Sequence, residues 1–318
     1  MAAKYLHELK EFPDLLRLLE KELKIQAQLI EKDYWIMHVL FGLKSQKFEF
    51  ELKGGTSLSK GYGIIERFSE DIDIHIKPPI EVAVNTNPKN TKPNAVKSRK
   101  DYYDWLAATI QIDGIASVER DTTFDSPNSY NSGGIRLFYK SHADKIEGLK
   151  EGILLEAGFD TVTPNESKAI SSWAYDKAAA TKGIEVIDNR AIDIACYHPG
   201  YTLVEKLQTI ATKFRQEQEG KEAKPNLMRQ YYDVYSLLGI NEVQEFIGTK
   251  AYIAHKEARF PPKDKEIPIS KNEAFLLSDP ELREQFKKRY AATANLYYKG
   301  QPAFGLLLER IKENLDKL

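Results

Sequence analysis

The sequence predicts an α+β protein in which a mixed α/β part comes first and a helical part second. Three observations carry that prediction. Apolar residues recur at helical spacing from Pro13 to Leu43, Asp71-Ile72-Asp73-Ile74-His75-Ile76 alternates strictly, and beyond about Cys196 the apolar spacing is helical again. With 318 residues, 42% of them hydrophobic, the chain can fill two ordinary cores, and the change of character divides it into residues 1–195 and 196–318.

Leu15, Leu16, Leu19 and Leu23, then Ile30, Trp35, Ile36, Val39 and Leu40, mark two or three amphipathic helices at the start of the chain. Phe48 to Leu52 reads as a short strand. Gly54-Gly55 reads as a turn and Ser57 to about Ile65 as a helix of roughly two turns, since glycines permit a tight bend and hydroxyls can cap. The alternating run from Asp71 is a half-buried strand. The following Pro-, Asn- and Lys-rich stretch from Lys77 to Lys100 reads for most of its length as an exposed loop whose lysines could touch an anionic partner.

Asp101 to Ile110 then suits a helix, and Ala116 to Glu119, Gly134 to Lys140 and Gly152 to Phe159 suit strands that continue the Asp71 sheet. Leu203, Leu207, Ile210 and Phe214 keep one helical face. Asn226 to Leu238, Val243 to Ala254 and Pro280 to Leu318 read as further helices, separated by charged or Pro-rich joints.

A formal net charge of -1 excludes a uniformly basic surface, so any nucleic-acid partner must be held by a local patch. Cys196 is the single cysteine, which excludes an intramolecular disulfide and a thiolate zinc cage, and fits a reducing, cytoplasmic setting. Charges interrupt the N-terminal apolar residues every few positions, unlike a signal peptide, and no stretch approaches a membrane span in length.

The chemistry concentrates in Lys53 to Ile76, KGGTSLSKGYGIIERFSEDIDIHI. Side chains at i and i+2 of a strand project from one face about 7 Å apart, so Asp71 and Asp73 point the same way. Two carboxylates on one rigid strand suit a hard divalent cation, which prefers oxygen ligands. An isolated Asp-x-Asp is more often the acidic outer face of an exposed strand. The turn ahead of it offers backbone N–H groups, hydroxyls and a helix start to a triphosphate, with Lys60 and Arg67 as counter-charges. It is neither a P-loop nor a dinucleotide fingerprint.

The two signals in this order resemble the core signature of polymerase-β-type nucleotidyltransferases, above all the AbiEii/AbiGii toxin family, whose segment also reads lysine, two glycines, Thr-Ser-Leu, then Arg-Phe-Ser-Glu-Asp-Ile-Asp. Ile30-Glu31-Lys32-Asp33-Tyr34-Trp35 is similar to that family's Glu-Lys-Asp-Tyr element, Tyr201 to Phe214 to its lysine-bearing helix, and Arg229-Gln230-Tyr231-Tyr232-Asp233 to its Arg-x-x-Tyr-Asp element. The last eighty or so residues carry no recognisable motif.

The resemblance implies a minimal polymerase-β-like nucleotidyltransferase domain with N-terminal helices over 1–195 and a helical domain over 196–318. It implies Mg²⁺ on Asp71 and Asp73, with Glu156 as a third carboxylate. Gly55, Thr56 and Ser57 would cradle the NTP phosphates, with Ser69 nearby and Lys206 and Arg229 as their cationic partners. Lys206 would offset charge in the transition state. Asp233 would either orient Lys206 or act as base on the acceptor hydroxyl. The biology implied is the toxin of a bacterial toxin–antitoxin or abortive-infection module, with a DNA-binding antitoxin and the tRNA 3′ acceptor end as the receiver of the nucleotide.

Each residue also has a plainer explanation. Lys206 flanks an apolar helix face and could simply snorkel along it. Arg229 and Asp233, four apart, could form an ordinary ion pair. Glu156 could be the polar end of an apolar strand, His75 a rim residue, and Trp35, Trp105 and Trp173 packing residues. Lys287-Lys288-Arg289 with Tyr290, Tyr297 and Tyr298 could hold RNA or be a solvated helix end. Two other functions fit: transfer to a protein or small molecule, and a catalytically silent GTP-binding module.

Overall fold

The structure, a computed structural model, describes residues 3–146, 149–160, 162–224 and 226–318. The expected α+β class is what it shows. Among the described residues, seven strands form one mixed sheet: β1 (Glu49–Lys53), β2 (Asp71–Lys77), β3 (Ile115–Asp121), β4 (Ser132–Tyr139), β5 (Ile153–Gly158), β6 (Asn165–Ile170) and β7 (Ala191–Tyr197). Their order is β3-β4-β5-β2-β1-β7-β6, with β2 parallel to β5, β1 parallel to β7 and the other neighbours antiparallel. Ile72, Ile74 and Ile76 are fully buried on one face of β2, and Asp71, Asp73 and His75 stand half-buried on the other.

The chain divides into two compact units, Met1–Tyr62 with Ser69–Tyr197, and Gly63–Phe68 with His198–Leu318. The first holds the sheet and helices α1 (Phe12–Leu23), α2 (Ala27–Ser45), α3 (Pro93–Thr109) and α4 (Trp173–Ala180). The amphipathic pattern expected for the N-terminal helices holds for α1 only. Nearly every residue of α2 from Gln28 to Leu43 is buried, because α1 and α4 pack against it and it also meets β5 and β7.

Sequence reading places the helix after the glycines too late. The helical turn begins at Gly54, widens into a π-type turn over Ser57–Gly61, and ends at Tyr62. The lysine-rich stretch is shorter and better organised than expected. Helix α3 starts at Pro93, and the buried guanidinium of Arg99 donates to the carbonyls of Asn85 (3.0 Å), Asn87 (3.2 Å), Asn90 (2.9 Å) and Ser129 (2.6 Å). Strands β6 and β7 were not expected, although β7 lies inside the sheet between β1 and the edge strand β6.

The second unit is helical: α5 (Pro199–Gln218), α6 (Leu227–Leu237), α7 (Asn241–Phe246), α8 (Lys250–Arg259), α9 (Pro280–Ala291) and α10 (Phe304–Asn314). The helix expected from Val243 to Ala254 is broken at Gly248, which adopts φ +81. The one expected from Pro280 to the end is two helices. Leu203, Leu207, Ile210 and Phe214 on α5 are buried as their spacing requires. No described helix is long and apolar enough to cross a membrane.

Candidate active site

In the sheet unit, the parallel register between β2 and β5 puts Asp73 opposite Glu156 and Asp71 opposite Leu154. Asp71, Asp73 and Glu156 therefore share one face, with adjacent strands about 4.8 Å apart. Burial raises the Asp71 carboxyl above its ordinary range; Asp73 and Glu70 add to the shift, and Lys150 and Lys32 oppose it. Burial, then Asp73 and Asp71, push Glu156 up to about 8. Asp71 Oδ1 is buried without a hydrogen-bond partner among the described residues. Three crowded oxygen donors, one of them orphaned, fit a hard divalent cation. His75 is not a fourth donor: its Nδ1 lies 2.7 Å from Glu51 Oε2 on β1.

The glycine turn meets this carboxylate face directly. Lys53, the last residue of β1, is opposite Asp73, and Gly54 follows in a left-handed conformation, φ +71. A Cβ on Gly54 would run into the Asp73 carboxylate. Sequence reasoning placed the Gly54-Gly55 turn at the site but gave an individual role to Gly55 alone, not to Gly54. Thr56 and Ser57 are fully buried, and the Thr56 hydroxyl donates to the Asp71 carbonyl, so that hydroxyl fastens the turn to β2. What the turn has to offer an anion is backbone N–H. Ser69 is half-buried two residues before Asp71.

Lys60, expected as a phosphate counter-charge, is committed elsewhere: its Nζ lies 2.7 Å from Asp33 Oδ1 and above the Trp173 ring. That contact exposes the work of Glu31-Lys32-Asp33-Tyr34, four buried polar residues in succession on α2. Glu31 accepts from the Ser141 hydroxyl and the His142 amide. Lys32 donates to the Lys150 carbonyl at 2.7 Å and lies 4.0 Å from Glu70. Asp33 also accepts from the Trp173 amide, at the start of α4. The Tyr34 hydroxyl joins His7 and Asn189. Burial leaves the Lys32 ammonium at about 8, despite the attraction of Glu70 and Asp71. Lys32 and Glu70 are the neighbours of the carboxylate face that the sequence left unassigned.

The helical unit holds the remaining candidates. Lys206 Nζ on α5 lies 2.9 Å from Asp233 Oδ2 on α6, and Asp233 is fully buried. Its other partner is Arg67, which donates Nε to Oδ1 and Nη2 to Oδ2, both at 2.7 Å. Burial alone would raise the Asp233 carboxyl, but Arg67 and Lys206 hold it below the ordinary range. An acceptor committed to two cations makes a poor base and a good orienting group. Arg67 is thus not an idle counter-charge for phosphate. Arg229 is half-buried one turn before Asp233.

The basic and aromatic cluster near the end of the chain is split, with Lys287 and Lys288 exposed and two of its three tyrosines buried. Arg289 pairs with both oxygens of Glu217, and Tyr290 and Tyr297 are buried, which leaves them no face for a base to stack on.

A profile of the family described as "Nucleotidyl transferase AbiEii toxin, Type IV TA system" matches residues 38–316. The chain belongs to the AbiEii family. It is accordingly a nucleotidyltransferase of the toxin–antitoxin and abortive-infection kind, and an antitoxin partner and an NTP substrate come with that membership. The AbiEii match begins just after Glu31-Lys32-Asp33-Tyr34 and runs on through the last eighty residues, where no motif was recognised. Among solved structures, an antigenic nucleotidyltransferase-like protein from Paracoccidioides brasiliensis is similar at 11% identity and a TM-score of 0.33, over 72% of this chain and 94% of that one. No curated protein matches.

Proposed function

We propose that this AbiEii-type toxin is a Mg²⁺-dependent enzyme of the cytoplasm that transfers the NMP of an NTP to the tRNA 3′ acceptor end and so blocks translation, with a DNA-binding antitoxin encoded beside it. The observation that carries the chemistry is the Asp73–Glu156 register, which gathers three carboxylates on one face against the Gly54 turn. Asp71, Asp73 and Glu156 would hold the ion, which when bound neutralises charge on the NTP phosphates and the departing pyrophosphate.

The chain's own residues bind and orient. Backbone N–H groups of Gly55, Thr56 and Ser57 face the phosphates, with Ser69 beside them. Lys206 and Arg229 add positive charge toward the phosphates, and Asp233 aims Lys206. Little covalent chemistry falls to the protein, so catalysis is positioning and charge neutralisation.

The test is mass spectrometry of tRNA 3′ ends after incubation with purified protein, Mg²⁺ and each NTP in turn. Added nucleotides are expected in at least one reaction. Unchanged ends in all four remove tRNA as acceptor, and label appearing instead in protein or a small molecule identifies the replacement. Growth inhibition that persists in the Asp71→Ala, Asp73→Ala double variant would leave a binding module as the better reading.

A further inference from the structure

Arg67 reaches Asp233 because a short stretch of chain before the carboxylate strand is held by the C-terminal part of the same unit. Phe68 N donates to Leu296 O at 2.7 Å, Arg67 and Tyr297 form an antiparallel bridge, and the Tyr298 hydroxyl donates to Ile65 O at 3.2 Å. Glu66 N donates to the Tyr232 hydroxyl, and Lys299 pairs with the Glu66 carboxylate at 2.6 Å. The backbone on both sides of Arg67 is thereby fixed before its side chain contributes anything.

The guanidinium then engages Asp233 in a fork, one N–H to each oxygen at 2.7 Å, with Arg67 3% and Asp233 0% exposed. A two-point fork removes the rotation that a single bond would leave to the carboxylate. Oδ2 carries Lys206 as well, so the plane that Arg67 sets is the plane that decides where the Lys206 ammonium points.

We propose that Arg67 is a positioning residue for Lys206, acting through Asp233, and that Leu296–Lys299 exist in part to hold Arg67 in place. This rests on the reading of Lys206 as the cation that faces the NTP phosphates. The groups facing Asp233 are Arg67, Lys206 and the phenols of Tyr232 and Tyr297, whose pKa values lie above their ordinary range, chiefly through burial. The two phenols stay neutral at working pH, so the cations alone keep Asp233 ionised.

The experiment compares Arg67→Lys, Arg67→Gln and Lys206→Ala with wild type. It reads kcat and KM for labelled NTP, with whichever of total tRNA or total cell protein takes the label, between pH 4.5 and 8, and thermal melting for the folded fraction. Arg67→Lys keeps the charge and loses the fork; kcat per folded enzyme is expected to fall roughly tenfold, with KM nearly unchanged and the acid limb in place. Arg67→Gln loses both; kcat is expected to fall about a hundredfold, with the acid limb moved up by about one unit as Asp233 becomes easier to protonate.

If Arg67→Lys, which has a charge to satisfy Asp233 and is the variant expected to fold, shows wild-type kcat and pH profile while Lys206→Ala is inactive, the positioning role is overturned and Arg67 is a folding residue only. If Lys206→Ala keeps wild-type kcat, the reading of the site fails, and this proposal with it.

Discussion

Asp73 and Glu156 sit opposite each other on parallel neighbouring strands, with Asp71 on the same face one pair away. Three carboxylates so placed cannot all ionise cheaply. Glu156 accordingly keeps its proton to about 8, under burial and the charges of Asp73 and Asp71.

The first prediction concerns pH and metal. Glu156 binds its proton more tightly folded than unfolded, so its contribution to stability is complete below the unfolded value near 4.5 and is lost as pH rises to about 8. Urea midpoints of the metal-free protein should fall over that window, and Glu156→Gln should flatten the slope. Mg²⁺ should displace the proton and restore stability at pH 8, by about 2.7 kcal/mol at a hundredfold its Kd. That gain should vanish in the Asp71→Asn, Asp73→Asn variant, along with at least about a hundredfold of the transferase rate.

A matched pair of glycines separates backbone strain from site geometry. Gly54 and Gly63 both have positive φ, +71 and +65, yet a Cβ at Gly54 meets the Asp73 carboxylate and one at Gly63 meets nothing within 4 Å. Gly63→Ala should cost roughly 1 kcal/mol and leave most of the activity. Gly54→Ala carries the same strain and must also move Asp73, so activity should fall at least about tenfold. Thermal melts alongside turnover read both effects.

Arg99 is the pin of the Lys77–Lys100 stretch. Replacing it by Met takes the shared donor from four part-buried carbonyls, which should cost about 3 kcal/mol in a urea titration. Limited proteolysis should then cut among residues 85–92 far faster than in wild type. Equal cleavage in the two proteins would show that the segment is held by something else.

His7 predicts acid sensitivity of the opposite sign to Glu156. Burial, then the nearby His38 and His142, lower its pKa to about 3, while its Nδ1 meets the Tyr34 hydroxyl at 2.8 Å. Its folded state favours the neutral ring, so stability is complete above pH 6.5 and is lost as pH falls toward 3. His7→Gln should flatten that limb of a stability-against-pH curve, read from urea midpoints at pH 4 to 7.

The sequence by itself determined the direction of side chains along each element. Strict alternation put Asp71 and Asp73 on one face of a strand, and helical spacing buried Leu203, Leu207, Ile210 and Phe214, because both follow from backbone geometry over a few residues. The order of the glycine turn and Asp-x-Asp, with Lys206 and Asp233 far downstream, was enough for the family. Most of Lys77–Lys100 is the exposed loop expected, but its helical end from Pro93 with the buried Arg99, and the burial of Tyr290 and Tyr297, went unread for one reason. Composition reports polarity and says nothing of what a distant segment, such as Arg99 or the C-terminal core, will cover.

Tertiary structure alone decided the partners. Strand β7 enters beside β1, Glu51 against Ala195, and Glu156 falls opposite Asp73 instead of Asp71; both depend on register between segments far apart in the chain. The same holds for charge. Lys60 and Arg67 look alike in sequence as spare cations near a phosphate turn, but Asp33 takes the one and Asp233 the other, because a buried carboxylate is stable only beside a cation that the fold delivers to it.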